Sequence, residues 1–233
     1  MGLPAMSALA NLGQFDSPDA EIILPPSNLE SDEPPLESDL HLLQIKLLLD
    51  SLNWLWRERQ NYYATGNLTI YYNPQKIKAR DFRGPDFFVV LDAEKRPRKS
   101  WTVWDEGGKY PNLIIEVLSK STAAVDKKKK KQLYQDIFRT PDYFWFDPET
   151  LEFEGFHLVD GEYYPLEPTE NGWRWSQQLQ LFLGLHNQQL RFFTPDKTLV
   201  PSLEELAAQT DQERQKAARL AEKLRELGID PEV

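Results

Sequence analysis

The chain has 233 residues, which suits one elaborated α/β domain better than two full domains. Hydrophobic residues make up 40 % and aromatics 12 %, so a wholly disordered chain is excluded, and the lack of cysteine excludes disulfides, thiolate zinc sites and a cysteine nucleophile. Three histidines are too few for a His-rich metal site, and a net charge of -10 argues against a protein that coats DNA.

The charge is unevenly spread. Residues 1–40 carry eight acids and no Lys or Arg, whereas residues 76–139 carry 16 Lys and Arg against 9 Asp and Glu. A basic middle inside an acidic chain points to an anionic partner there, although a solvated face has the same composition.

The sequence begins without the basic and apolar regions of a secretory signal. The apolar run from Leu40 to Trp56 is interrupted by His41, Gln44, Lys46, Asp50 and Asn53, so no membrane span is expected and the reading is cytoplasmic. Residues 1–36 read as an acidic, Pro-rich arm, residues 37–200 as the main domain, and residues 201–233 as a charged C-terminal helix. Ser38 or Asp39 caps a first helix whose Ile45, Leu49, Leu52 and Trp56 repeat at helical spacing. Strands are expected at Leu68 to Tyr72, Phe87 to Leu91 and Leu113 to Leu118, then a helix from Ala123 to Phe138 and a strand from Tyr143 to Phe146. Leu151 to His157 and Tyr163 to Leu166 flank Asp160-Gly161, a hairpin signal. Trp173 to Trp175, Leu179 to Leu185 and Leu190 to Phe193 suggest more antiparallel strands, and a last helix runs from Leu203 to Leu227. The order indicates an α/β or α+β core with a β appendage.

Glu116 interrupts an apolar strand that reads as buried on both faces. A carboxylate there must be paired, hydrogen-bonded or bound to a cation, and a salt bridge with a neighbouring lysine meets the same need. Asp86 follows the Gly84-Pro85 turn at the start of the preceding buried strand. Two carboxylates on adjacent strands can converge on one Mg²⁺ or Mn²⁺. Asp126, Lys130 and Tyr134 lie four residues apart on the following helix and share a face, from which a lysine can reach that pair. Lys127 to Lys131 form an unbroken run, most of which must meet solvent or phosphate.

The ordered strings Phe82-Arg83-Gly84-Pro85-Asp86-Phe87-Phe88-Val89-Val90, Pro111-Asn112-Leu113-Ile114-Ile115-Glu116-Val117-Leu118-Ser119, Ser121-Thr122 with Asp126, Lys130 and Tyr134, and Pro141-Asp142-Tyr143-Phe144-Trp145-Phe146-Asp147-Pro148 carry a resemblance. Together they resemble the putative restriction endonuclease family abundant in photosynthetic bacteria, a branch of the PD-(D/E)XK nuclease superfamily. The resemblance implies a restriction-endonuclease-like central mixed sheet flanked by helices, with an added antiparallel β segment and a C-terminal helix. It further implies metal-dependent phosphodiester hydrolysis, with Asp86 as first acid and Glu116 as second. The usual lysine two places after the second acid falls on Leu118 here. In this family a lysine on the following helix substitutes, which places the role on Lys130, with Lys131 and Lys127 as fallbacks.

The expected enzyme is therefore a Mg²⁺- or Mn²⁺-dependent endonuclease acting on nucleic acid, DNA above all, with Asp86, Glu116 and the carbonyl of Val117 around the cation. Arg80, Arg83, Lys95, Arg96, Arg98 and Lys99 are candidate phosphate contacts. His41, where the family often has a histidine, is an accessory candidate beside Ser119, Asp126 and Tyr134. For His41 a surface or packing role is the alternative, and for Ser119 a helix cap. Trp101, Trp104, Phe144, Trp145, Trp173 and Trp175 can stack bases or form core. A homodimer is expected from surplus apolar surface after residue 150. The alternative function is a catalytically inactive nuclease-fold module that binds a protein partner, for which the missing lysine at Leu118 and the acidic arm argue. A two-carboxylate glycosidase fits the neighbouring lysines less well.

Overall fold

The computed structural model describes residues 29–32, 38–74, 82–119 and 126–227. The first helix, α1 (Asp39–Leu55), is capped by Ser38, whose Oγ accepts the His41 N–H at 3.3 Å. Its stripe of Ile45, Leu48 and Leu52 is buried, while Leu40, Leu42 and Leu43 face outward.

A six-stranded sheet forms the centre, in the order β1 (Tyr62–Gly66), β4 (Phe87–Leu91), β6 (Leu113–Val117), β7 (Asp142–Phe146), β8 (Phe153–Val159), β9 (Glu162–Pro165). The sheet is mixed: β6 and β7 run parallel and every other pair antiparallel. The parallel pair requires a crossover, which contains α2. This helix is wound as π turns over Asp126–Lys130 and Tyr134–Phe138 around an α turn at Lys131–Leu133.

Both faces of the sheet are covered, which is why β4, β6 and β7 read as apolar runs, broken in β6 by Glu116 and opened in β7 by Asp142. Phe87, Val89, Leu113, Ile115, Phe144 and Phe146 meet α1 and a second sheet, β10 (Arg174–Ser176), β11 (Leu181–His186) and β12 (Gln189–Phe193). On the opposite face Phe88, Val90, Ile114 and Tyr143 meet Tyr134 and Phe138 of α2 and Trp101. Gln44 joins α1 to β12 by a two-way amide bond, donating to Leu190 O at 2.9 Å and accepting from Leu190 N at 3.0 Å. A small third sheet, β3 (Phe82–Arg83), β2 (Ile70–Tyr71) and β5 (Trp101–Thr102), lies beside the centre. The last helix, α3 (Leu203–Glu226), opens with a reciprocal Ser202–Glu205 capping box.

This is the restriction-endonuclease-like architecture implied by the sequence, with its extra antiparallel sheet and C-terminal helix. The strand expected over Leu68 to Tyr72 shrinks to two residues, and β1, β3 and β5 were not foreseen. Three of these four strands are two residues long, too short for any alternation to show. The hairpins sit where the turn chemistry puts them: Asp160 and Gly161 both have positive φ, 50° and 93°. Trp101 and Phe144 are fully buried and Trp145 nearly so, hence core rather than exposed stacking surfaces. Among the described residues no helix is long and apolar enough to cross a membrane.

Candidate active site

Antiparallel pairing of β4 with β6 sets Phe87 opposite Ile115 and so brings Asp86, one residue earlier, beside Glu116. Alternation turns Glu116 to the same face as Ile114, toward α2. The backbone fixes Asp86 further, because Oδ2 accepts the Val117 N–H at 2.8 Å and its carbonyl accepts the Asn67 N–H at 3.1 Å. His41, one turn into α1, places Nε2 3.1 Å from Asp86 Oδ1; this is an ion-pair distance without hydrogen-bond geometry, so Nε2 is a buried polar atom with no satisfied bond.

Glu116 has no solvent exposure. Lys130 Nζ lies 3.0 Å from its Oε2, and the Tyr134 hydroxyl donates to Oε1 at 2.6 Å. Burial and the adjacent Asp86 push its carboxyl up to about 8, against the opposing pull of Lys130. Burial also works against ionisation of Asp86, but His41 beside it, with Lys130 beyond, holds its carboxyl below the usual range. The two neighbouring carboxyls are thus shifted in opposite directions, an arrangement that gathers at functional sites.

Asp86, Glu116, Lys130, His41 and Tyr134 therefore converge. Lys131 does not: its ammonium lies over the Phe156 ring, 3.4 Å from the centroid. Leu118, at the superfamily's usual lysine position, is buried among Ile114, Tyr134 and Tyr143. Ser119 follows the strand, but residues 120–125, which it would cap, lie outside the described residues, as do Arg80 and the side chains of Asp126 and Lys127.

The candidate phosphate contacts are engaged elsewhere. Arg98 is bidentate to Glu106 at 2.5 and 2.9 Å, its side chain 3 % exposed and packed over Tyr63 and Trp101. Arg96 pairs with Glu94 and Glu106, Lys99 with Glu30, and Lys95 donates to the Tyr62 hydroxyl at 3.1 Å. Arg83 donates to Phe82 O at 2.6 Å. Lys128 and Lys129, on the site helix, are exposed.

Gly66 is a positioning residue with no obvious signal in the sequence. A Cβ there would stand 2.3 Å from Ile45 Cγ2 and 2.9 Å from Asp86 O, so its absence lets α1 approach the Asp86 backbone. The neighbouring Gly66-Asn67 pair was the available turn signal, and Asn67 has φ 48°.

A hard divalent cation takes oxygen donors, and two adjacent carboxyls, Glu116 buried and Asp86 partly so, offer them. No group of three His, Cys, Asp or Glu side chains is poised to hold a metal among the described residues. Backbone carbonyl, water or phosphate oxygens would have to complete the shell, as Mg²⁺ commonly requires.

Fold and site together define a restriction-endonuclease-like protein with a two-carboxylate centre. Residues 17–192 match the Uma2 family, described as putative restriction endonuclease, and the chain belongs to that family. The crystal structure of a putative nuclease belonging to DUF820 from Anabaena variabilis ATCC 29413 is similar at TM-score 0.46 and 14 % identity, over 63 % of this chain and 76 % of that one. No curated protein matches the sequence.

Proposed function

We propose that the chain is a Mg²⁺- or Mn²⁺-dependent endonuclease that hydrolyses phosphodiester bonds in nucleic acid, DNA in the first instance. The observation that carries this reading is the facing pair Asp86 and Glu116 with Lys130 Nζ 3.0 Å from the second acid. Asp86 and Glu116 would hold the cation, with the Val117 carbonyl completing the protein's share. When bound, the cation supplies Lewis acidity toward a phosphoryl oxygen and lowers the pKa of its water. The Val117 N–H holds Asp86, with His41 beside it, and Tyr134 holds Glu116, so both carboxyls keep their aim. Lys130 keeps a positive charge at the mouth of the pair, where it offsets charge that develops on phosphate. Lys128 and Lys129 extend that charge outward along the helix and would contact backbone phosphates, an interaction that weakens steeply with salt.

The test is cleavage of supercoiled plasmid with Mg²⁺ or Mn²⁺, wild type beside Glu116→Gln and Lys130→Ala. Nicking that needs the cation and disappears in both variants is the expected result. Loss in Glu116→Gln alone would keep the nuclease and move the lysine's role. No cleavage, together with no Mn²⁺ binding by calorimetry, would favour the inactive, partner-binding module.

A further inference from the structure

We infer that α3 is a self-association element, which pairs antiparallel with the α3 of a second copy of this chain. The helix has 24 residues and is about 36 Å long. Its packing on the described body is limited to its base, where Arg191 pairs with Glu205 and the Ser202 box closes the first turn. Every residue from Ala207 to Leu220 is exposed, and Leu220 and Leu227 are 62 % and 74 % exposed. An isolated helix of this kind gains little from its own hydrogen bonds in water and needs a partner for its apolar stripe.

The stripe has the spacing of a two-helix seam. Leu203, Leu206, Thr210, Glu213, Ala217, Leu220, Leu224 and Leu227 alternate steps of three and four residues. Charge decides the partner and its direction. Residues 203–213 carry four acids and no base, whereas residues 214–227 carry five bases and two acids. A parallel copy would set acid against acid and base against base. An antiparallel copy sets each acidic half against a basic half, and it layers Leu203 on Leu227, Leu206 on Leu224 and Thr210 on Leu220 of the second copy. Glu213 then faces Ala217 of the other helix at the centre, within reach of Arg214 and Lys216 across the seam.

The body supplies a seat for the arriving helix end. Leu43 and Leu47 of α1 line a groove with Leu203, and Leu43 and Leu203 are about half exposed. In the antiparallel arrangement the Leu224 and Leu227 end of the second copy lies over this groove.

The chain has no cysteine, so introduced thiols report on the seam alone. Full-length Thr210→Cys and Leu220→Cys proteins, mixed under mild oxidation, should form the mixed disulfide dimer, with little of either self-linked dimer. Self-linked dimers of each variant without the mixed species would overturn the antiparallel assignment. Sedimentation of the cysteine-free protein should show a dimer at micromolar concentration. Leu220→Lys with Leu224→Lys should raise its dissociation constant by roughly a hundredfold or more, with an unchanged unfolding midpoint for the body. A wild-type monomer at that concentration, or a dimer indifferent to both lysines, would overturn the proposal.

Discussion

At Glu116 one carboxyl answers to three neighbours: Lys130 and Tyr134 hold its two oxygens, and Asp86 crowds it with like charge. Unfolded, the group titrates near 4.5; folded, it is raised to about 8. Between those values the folded chain keeps a proton that the unfolded chain has given up. The contribution to stability is therefore complete below about 4.5 and is lost as the pH rises toward about 8, by an amount on the order of a few kcal/mol. We expect the melting temperature of the metal-free protein to fall across this window and that of Glu116→Gln to stay flatter. Saturating Mn²⁺ should flatten the wild-type profile as well, since a cation on the pair favours the ionised acid. A flat wild-type profile without metal would show that Glu116 is ionised in the fold, paired to Lys130 alone.

Elements set these distances, and β1 with α1 set the least forgiving one. Gly66→Ala would push its Cβ into Ile45 Cγ2 and Asp86 O, neither of which is a flexible side-chain end. Relief requires α1 to move, and α1 carries His41. Urea titration should show a loss of roughly 1–3 kcal/mol. Nicking activity of the folded variant should fall further than that of an equally destabilised variant on β12. Equal losses would make Gly66 a packing residue only.

The sequence showed the acids more clearly than it showed what holds them. Glu116 stands out because a carboxylate inside an apolar strand is costly, Asp86 because it follows the Gly84-Pro85 turn at the start of the neighbouring strand, and strands β4, β6 and β7 are legible nearly to the residue. The choice of Lys130 over its neighbours depended on resemblance, since a run of five lysines carries no phase; contact with Glu116 is what separates Lys130 from Lys131. Tyr134 is one accessory candidate among several in the sequence, and its buried hydrogen bond to Glu116 is what sets it apart. The basic stretch is legible only as charge, because sequence says nothing about local acids: Arg96 and Arg98 both reach Glu106, eight to ten residues on. Gln44 and Arg191 gave no signal at all, as their partners lie far away or on backbone atoms.

Across the whole molecule, the second sheet is tied to the central sheet at its edge as well as through the shared core. Asp142, fully buried at the start of β7, accepts from Ser176 Oγ at 2.6 Å and from the Gln178 N–H at 2.9 Å. Its other oxygen meets His157 Nδ1 at 2.7 Å. Gln178 continues the link by accepting from Asn112, whose own Oδ1 accepts the Leu91 N–H at 2.8 Å. One carboxylate thus joins β7, β8 and the β10–β11 turn, and its removal strands two donors inside the protein. Asp142→Ala removes both acceptor oxygens and leaves the Ser176 hydroxyl and the Gln178 N–H without their partner. The expected loss is about 2–3 kcal/mol, larger than for the exposed pair Lys46–Asp50, which solvent screens. If the two sheets unfold as one unit, Asp142→Ala lowers the urea midpoint and leaves the slope unchanged. A separate early transition in tryptophan fluorescence, to which Trp175 on β10 contributes, would instead mark the second sheet as an independently melting layer. In that case the nicking activity should survive the first transition, because Asp86, Glu116 and Lys130 all belong to the central sheet and its crossover helix.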